Sequence, residues 1–165
     1  MATLTLDLFR SCKSNRKKAG DIKTNYTGAG SLYPDYNGFY RKKDNSFRAP
    51  DVTTFTKEEE TWIRGVDDID PDSGRKFVKS SEGVSLTKEH GKFGFRGWYY
   101  FLLPEGTSID AGLDVRQTGS DKNHYSIRCI NAMTRTAYEG ALDNIARSAI
   151  ARAVELKRAS LYFEA

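Results

Sequence analysis

The sequence changes its period once, near its C-terminal third, and that change limits what the chain can become. From His124 to Ile130 the residues alternate, with Tyr125, Ile127 and Cys129 on one side and His124, Ser126 and Arg128 on the other. A period of two marks a half-buried strand. Past Asn131-Ala132-Met133 the residues Tyr138, Leu142, Ile145, Ala149, Ala153 and Leu156 recur three or four apart. That spacing draws one apolar stripe along a long amphipathic helix. Thr136 and Glu139 have capping-box spacing at its start. Lys157 and Arg158 fall in its last turn, where cations suit the negative end of the dipole. A core strand feeding a long packed helix is the best-determined unit of the chain.

Other strands follow from the same period. Thr3 to Arg10 alternates with Leu4, Leu6 and Leu8 on one face, and parity places Arg10 on that face too. An arginine there needs an anionic partner or an open cleft, because burying it unpaired costs several kcal/mol. A structural salt bridge and a ligand clamp both satisfy that need. Gly83–Thr87, Trp98–Leu103 and Leu113–Gln117 read as further strands, the second stopped by Pro104-Glu105-Gly106. Gly119-Ser120-Asp121 turns the chain from Gln117 into the His124 strand. Thr56 to Ile63, with Glu58, Glu59 and Glu60 near its start, reads as a short capped helix. Strands around few helices make an α+β fold, with two small mixed or antiparallel sheets and the C-terminal helix across one of them.

Between Ser11 and Lys43 the tyrosines Tyr26, Tyr33, Tyr36 and Tyr40, with Phe39, are interleaved with Lys and Arg. Aromatics among cations either stack bases or pin an irregular segment to the core. Gly28-Ala29-Gly30 is too short a fragment for a phosphate loop, and Asp67 to Asp72 lacks calcium-loop spacing. There is no Walker loop, no Gly-x-Gly-x-x-Gly and no His-Glu-x-x-His. Two histidines and two cysteines, far apart, make a structural zinc site an unsuitable reading. A triad of Ser85, His124 and an aspartate lacks a nucleophile elbow.

The chain of 165 residues reads as one domain over 1–160, with 161–165 as a frayed tail. At 38% hydrophobic and 29% charged it has the composition of a soluble globular protein. No apolar run reaches membrane length, and Asp7 interrupts the early apolar stretch where a signal peptide would need continuity. Cys12 and Cys129 imply no disulfide framework and fit a reducing compartment. A net charge of +4 and a pI near 9.0 attract phosphates in general. Apart from Arg16-Lys17-Lys18 and Arg41-Lys42-Lys43 the cations are scattered, as on a solvated basic surface rather than a dedicated nucleic-acid face.

Asn123-His124-Tyr125-Ser126-Ile127, followed by Leu142-Asp143-Asn144-x-x-Arg147-x-Ala149-Ile150-x-Arg152, resembles a family of cytosol-acting effector toxins exported by type VI secretion, a Tse-two-like family. Leu6-x-Leu8-Phe9-Arg10, Arg48-Ala49-Pro50-Asp51, Gly83-Val84-Ser85 and Leu103-Pro104-Glu105-Gly106-Thr107 match in order. The resemblance implies an ADP-ribosyltransferase-like fold, with split sheets around a nucleotide cleft. It implies NAD as substrate, a macromolecular target, action in the recipient cytosol and a cognate immunity protein, expected to be acidic against a basic toxin. It also implies that Arg10 holds the NAD ribose or phosphate and that Ser85 organises the nicotinamide side. The third role, usually a glutamate, falls nearest to Gln117 or His124; only His124 can serve as a base near neutrality. Glu58-x-Glu60 imitates the Glu-x-Glu signature but precedes the serine strand, where the family order needs it to follow. Transfer of ADP-ribose and hydrolysis of NAD both fit. The competing readings are a metal-independent ribonuclease using His124, Arg10 and tyrosines, and a basic binding module without catalysis.

Overall fold

In the computed structural model, which describes residues 2–12, 28–89 and 99–163, the longest apolar run decides the architecture. In chain order the elements are β1 (Leu8–Cys12), β2 (Phe39–Tyr40), β3 (Phe47–Arg48), β4 (Thr54–Lys57), β5 (Glu60–Ile63) and β6 (Val84–Thr87). There follow β7 (Tyr99–Leu103), β8 (Leu113–Gln117), β9 (His124–Cys129), β10 (Met133–Thr134), α1 (Arg135–Glu155) and β11 (Leu161–Phe163). In β7, Tyr100, Phe101, Leu102 and Leu103 are all 0% exposed, so this strand needs partners on both edges and cover on both faces. It lies between β11 and β1 in a six-stranded sheet ordered β11-β7-β1-β6-β9-β8. A three-stranded sheet, β10-β5-β4, and the β2-β3 hairpin complete the pairing. Every ladder among the described residues is antiparallel. Among the described residues the fold is therefore mixed α and β with one C-terminal helix, and the sheets are unequal, six strands and three, where two small ones were expected.

Helix α1 covers one face of the large sheet. Tyr138, Leu142, Ile145, Ala146 and Ala149 join Leu8, Val84, Leu86, Phe101, Leu103 and Ile127 in the main core. The stripe read from the sequence holds as far as Ala153; Leu156 is 39% exposed. The cap sits two residues earlier than expected. Thr134 Oγ1 accepts from Ala137 N–H at 3.2 Å, because β10 ends there and delivers Thr134 in extended geometry. Glu139 instead accepts from the Tyr36 hydroxyl. At the other end Lys157 turns left-handed (φ 56°), and Arg158 N–H reaches back to the Ala153 carbonyl. Arg158 has left the helix and pairs with Asp7 at 2.5 Å; Arg152 is the last-turn cation. Beyond it, residues 161–163 are not frayed but pair with β7, whose apolar run would otherwise carry an open edge.

Two further expectations change. The segment Thr56–Ile63 is a hairpin, β4–β5, turned by Glu58 and Glu59 at φ 53° and 64°. Threonines at 54, 56 and 61 and the packed pair Phe55–Trp62 favour pleated strands more strongly than three glutamates favour a helix. The first strand starts at Leu8 and runs to Cys12. Ahead of it, Leu4 exchanges backbone bonds with Thr107 and Gly106, and Thr3 bridges Ser108, so this arm follows a turn rather than the sheet. Trp98, Tyr26, Arg16-Lys17-Lys18 and the glycine-punctuated stretch 91–97 lie outside the described residues.

Candidate functional site

Register decides which of the four candidate side chains meet. Directly opposed residues in antiparallel strands project to the same face. Thr87 opposes both Phe9 and His124, and Ser85 opposes Ser126. Ser85, Thr87, His124 and Ser126 therefore share the face that turns away from α1. Ser11, two positions along from Phe9, joins them. Arg10 and Gln117 have the opposite parity and stand on the α1 side. The structure thus brings Ser85 and His124 together as diagonal neighbours, about 7–8 Å apart in such ladders, and separates them from the side chains of Arg10 and Gln117.

On the outer face hydroxyls support the histidine. His124 Nδ1 lies 3.0 Å from Thr118 Oγ1 and 3.3 Å from the Thr118 carbonyl. Thr118 Oγ1 is 2.7 Å from Ser126 Oγ, which donates to the Ser81 carbonyl at 3.3 Å. Thr118 and Ser126 are buried, whereas Ser85 and His124 are half-buried and remain reachable. Both contacts hold the ring through Nδ1, whose role as donor or acceptor follows the tautomer. Ser11 Oγ is buried with no hydrogen-bond partner, an arrangement that costs about 1–3 kcal/mol when left unmet. This face can orient a polar ligand and move one proton.

On the α1 side Arg10 is held by the protein itself. Its Nη1 donates to the Ser85 carbonyl and its Nη2 to the Tyr33 carbonyl, both at 3.1 Å, with Asp51 Oδ2 at 4.0 Å. The Arg10 side chain is 14% exposed and that of Asp51 6%. Asp51 also accepts from Asp35 N–H at 2.9 Å and pairs with Arg48 at 3.4 Å, while its carbonyl accepts from Gly83 N–H. A side chain at Gly83 would drive into the Ile127 carbonyl, which is why this junction is glycine. Of the two readings of Arg10, the salt bridge to a buried carboxylate is the one its geometry displays. Nearby, burial pushes the Tyr138 phenol up, and its hydroxyl has no hydrogen-bond partner.

Gln117 is exposed, and its Nε2 faces the carbonyls of Thr118, Gly119 and Asp121 at 3.1–3.2 Å. It closes the turn that presents His124 and contributes no side-chain group to the outer face. Tyr33 and Tyr36 pin their segment to α1 through 2.7 Å bonds to Asp143 and Glu139. The hydrogen bond to Asp143, with burial, pushes Tyr33 up to about 12. Burial lifts Cys12 to about 11 and Cys129 to about 12, so neither supplies a thiolate near neutrality.

Asp51, Thr118, Ser126 and Ser11 are the residues that sequence reasoning did not assign. Asp51 lay within a matched patch, Arg48-Ala49-Pro50-Asp51, but no local spacing reveals that it meets Arg10. Serines and threonines carry no distinguishing pattern in strands. Among the described residues no cluster of His, Cys, Asp and Glu is arranged to hold a metal, and no helix is long and apolar enough to cross a membrane. No curated protein matches the chain. A family model described as Tse2 ADP-ribosyltransferase toxin matches residues 7–154, a span that takes in both faces of the site.

Proposed function

The chain belongs to the Tse2 ADP-ribosyltransferase toxin family, and from that premise we propose that its outer sheet face takes NAD as substrate and passes ADP-ribose to a macromolecular acceptor, or to water. The observation that carries this reading is the side-by-side placement of Ser85 and His124 above the buried Thr118–Ser126 pair. The residues fit such a substrate. The ribose and the nicotinamide amide are rich in hydroxyl, carbonyl and N–H groups, and the face offers the half-buried Ser85 hydroxyl beside His124.

In this reaction the ribose carbon–nicotinamide bond breaks, nicotinamide keeps the electron pair, and positive charge develops on the ribose. Ser85 orients the ribose or amide by hydrogen bonding. His124, with Nδ1 fixed by Thr118, takes the proton of the attacking acceptor on Nε2. Arg10 is a positioning residue: by holding the Ser85 carbonyl and Asp51 it fixes the strand that carries Ser85. Gln117 holds the turn that carries His124. The ribonuclease reading asks His124 and Arg10 to work on one phosphate, yet they project from opposite faces. The protein acts in the cytosol of a recipient cell after export by type VI secretion, and an acidic immunity protein restrains it in its producer.

The test incubates purified protein and recipient lysate with NAD labelled in its adenylate half. Label transferred to a macromolecule, or released as ADP-ribose, supports the reading. Ser85→Ala and His124→Ala should lower that rate about 10²–10⁴-fold at unchanged melting temperature. RNA degraded while NAD stays intact would overturn it in favour of a nuclease.

A further inference from the structure

The β2–β3 hairpin carries features that neither the core nor the NAD reaction requires. Tyr40 opposes Phe47, and Phe39 opposes Arg48. On the Phe39–Arg48 side Arg48 reaches Asp51, while Phe39 is itself 45% exposed. The Tyr40–Phe47 side faces solvent: the two rings are 67% and 56% exposed and stand 5.2 Å apart at 53°. Two large rings in contact and exposed together form a contiguous apolar patch, the kind of surface that contacts partners.

The tip beyond them is built firmly. Arg41 N–H bonds to the Ser46 carbonyl at 2.8 Å, Asn45 N–H to the Arg41 carbonyl at 2.9 Å, and Asp44 accepts from both Ser46 N–H and Ser46 Oγ. Arg41 Nη1 also donates to Ser46 Oγ. This leaves Lys42 and Lys43 exposed at the turn, beside the rings. Two ring faces next to a short cationic run supply the two halves of single-strand recognition, base stacking and phosphate neutralisation. A protein partner would ask for about 800 Å² from this side, far more than one hairpin tip presents, whereas a base asks only for one ring face.

We propose that Tyr40, Phe47, Lys42 and Lys43 form a binding surface for single-stranded nucleic acid. The assignment is independent of the reaction at Ser85 and His124. Binding is read by fluorescence anisotropy with a fluorescein-labelled oligothymidylate and, separately, an oligouridylate, across a series of salt concentrations. The wild type binds, and binding weakens as salt rises. Tyr40→Ala with Phe47→Ala weakens it at least about 10-fold. Tyr40→Leu, which keeps an apolar contact with Phe47 but removes the ring, weakens it as well. Lys42→Gln with Lys43→Gln lowers the slope of log affinity against log salt by about 1.4, about 0.7 for each lysine. All variants keep the wild-type melting temperature and NAD turnover. The proposal is overturned if the wild type binds neither oligonucleotide, if the ring variants bind as the wild type does, or if polyglutamate competes as well as unlabelled oligonucleotide. That last result would assign the hairpin to an acidic protein.

Discussion

The two faces of the large sheet differ in where their half-buried chemical groups stand. On the α1 side an apolar core surrounds one charged cluster, and that cluster is matched from within: Arg10 and Arg48 share Asp51, and two carbonyls accept from the Arg10 guanidinium. On the outer side Ser85 and His124 stay half-buried and reachable. Buried hydroxyls without a partner among the described residues occur on both sides, Ser11 on this one and Tyr138 on the other, and do not set the faces apart. Groups that the protein satisfies by itself hold the fold. Groups that it aligns and leaves within reach are available for chemistry. Arg10 is the residue on which the comparison turns, because the family resemblance gives it a ligand while the geometry gives it Asp51.

Replacing Asp51 should therefore have the largest effect on stability. Asp51→Ala leaves two arginines without their carboxylate and the Asp35 amide without its acceptor. Breaking a buried ion pair from one side costs about 3 kcal/mol, or roughly 6–12 °C in a chain of this size. Asp51→Asn keeps an acceptor for the amide and should lose less. A melting temperature within about 2 °C of wild type for Asp51→Ala would show that the cluster does not hold the fold, and the contrast between the faces would fail.

Arg10→Ala and His124→Ala separate the faces directly. Arg10→Ala leaves the Ser85 and Tyr33 carbonyls unmet and takes from Asp51 one of its two arginines. It should therefore cost about 1–3 kcal/mol, and activity should fall along with stability. Arg10→Lys should recover little of either, since an ammonium lacks the planar fork that spans two carbonyls. His124→Ala should remove activity and leave unfolding by heat or urea nearly unchanged. If Arg10→Ala kept full stability while abolishing transfer, the arginine would be a ligand clamp, and the α1 side would have to open onto the site.

How much of this was legible in the sequence follows the same division. The Tyr138–Ala153 stripe and the strands around Leu103, Val115 and Ile127 were readable because apolar periodicity records burial directly. The Thr56–Ile63 hairpin was not, because its turn depends on two glutamates in left-handed geometry, a state that composition does not announce. Parity placed Arg10 correctly with Leu8 on the inner face. The same logic, applied within single strands, could not show that Ser85 and His124 would face away from it, because that depends on the register between β1, β6 and β9. Asp51 was within a matched patch yet unassigned, since only tertiary structure brings a loop carboxylate to a strand arginine.

The smallest expected effect tests how the inner side is fastened. Tyr33 gives its carbonyl to Arg10 and its hydroxyl to Asp143, so it ties the Arg10 cluster to α1. The bond to Asp143 holds the phenol protonated and raises its folded pKa to about 12, above the ordinary value of 10.0. A group whose pKa is raised by folding contributes stability that is fully present below its unfolded value. Between pH 10 and about 12 the unfolded chain sheds this proton while the folded chain keeps it, so the contribution drains away across that window. Urea midpoints measured from pH 8 to 11.5 should fall through the upper part of that range, and Tyr33→Phe should shallow the fall while slightly lowering the neutral-pH midpoint. Tyr36, raised mainly by burial and then by its bond to Glu139, acts in the same direction, so one substitution should leave part of the slope in place. An identical alkaline slope in Tyr33→Phe would mean that the Asp143 bond does not form in solution. The irregular segment would then rest on α1 through the Tyr36–Glu139 bond, the Gly30 N–H to Asp143 and Gly28 against Ala146 and Ile150. The tie from the Arg10 cluster to α1 through the Tyr33 ring would be absent.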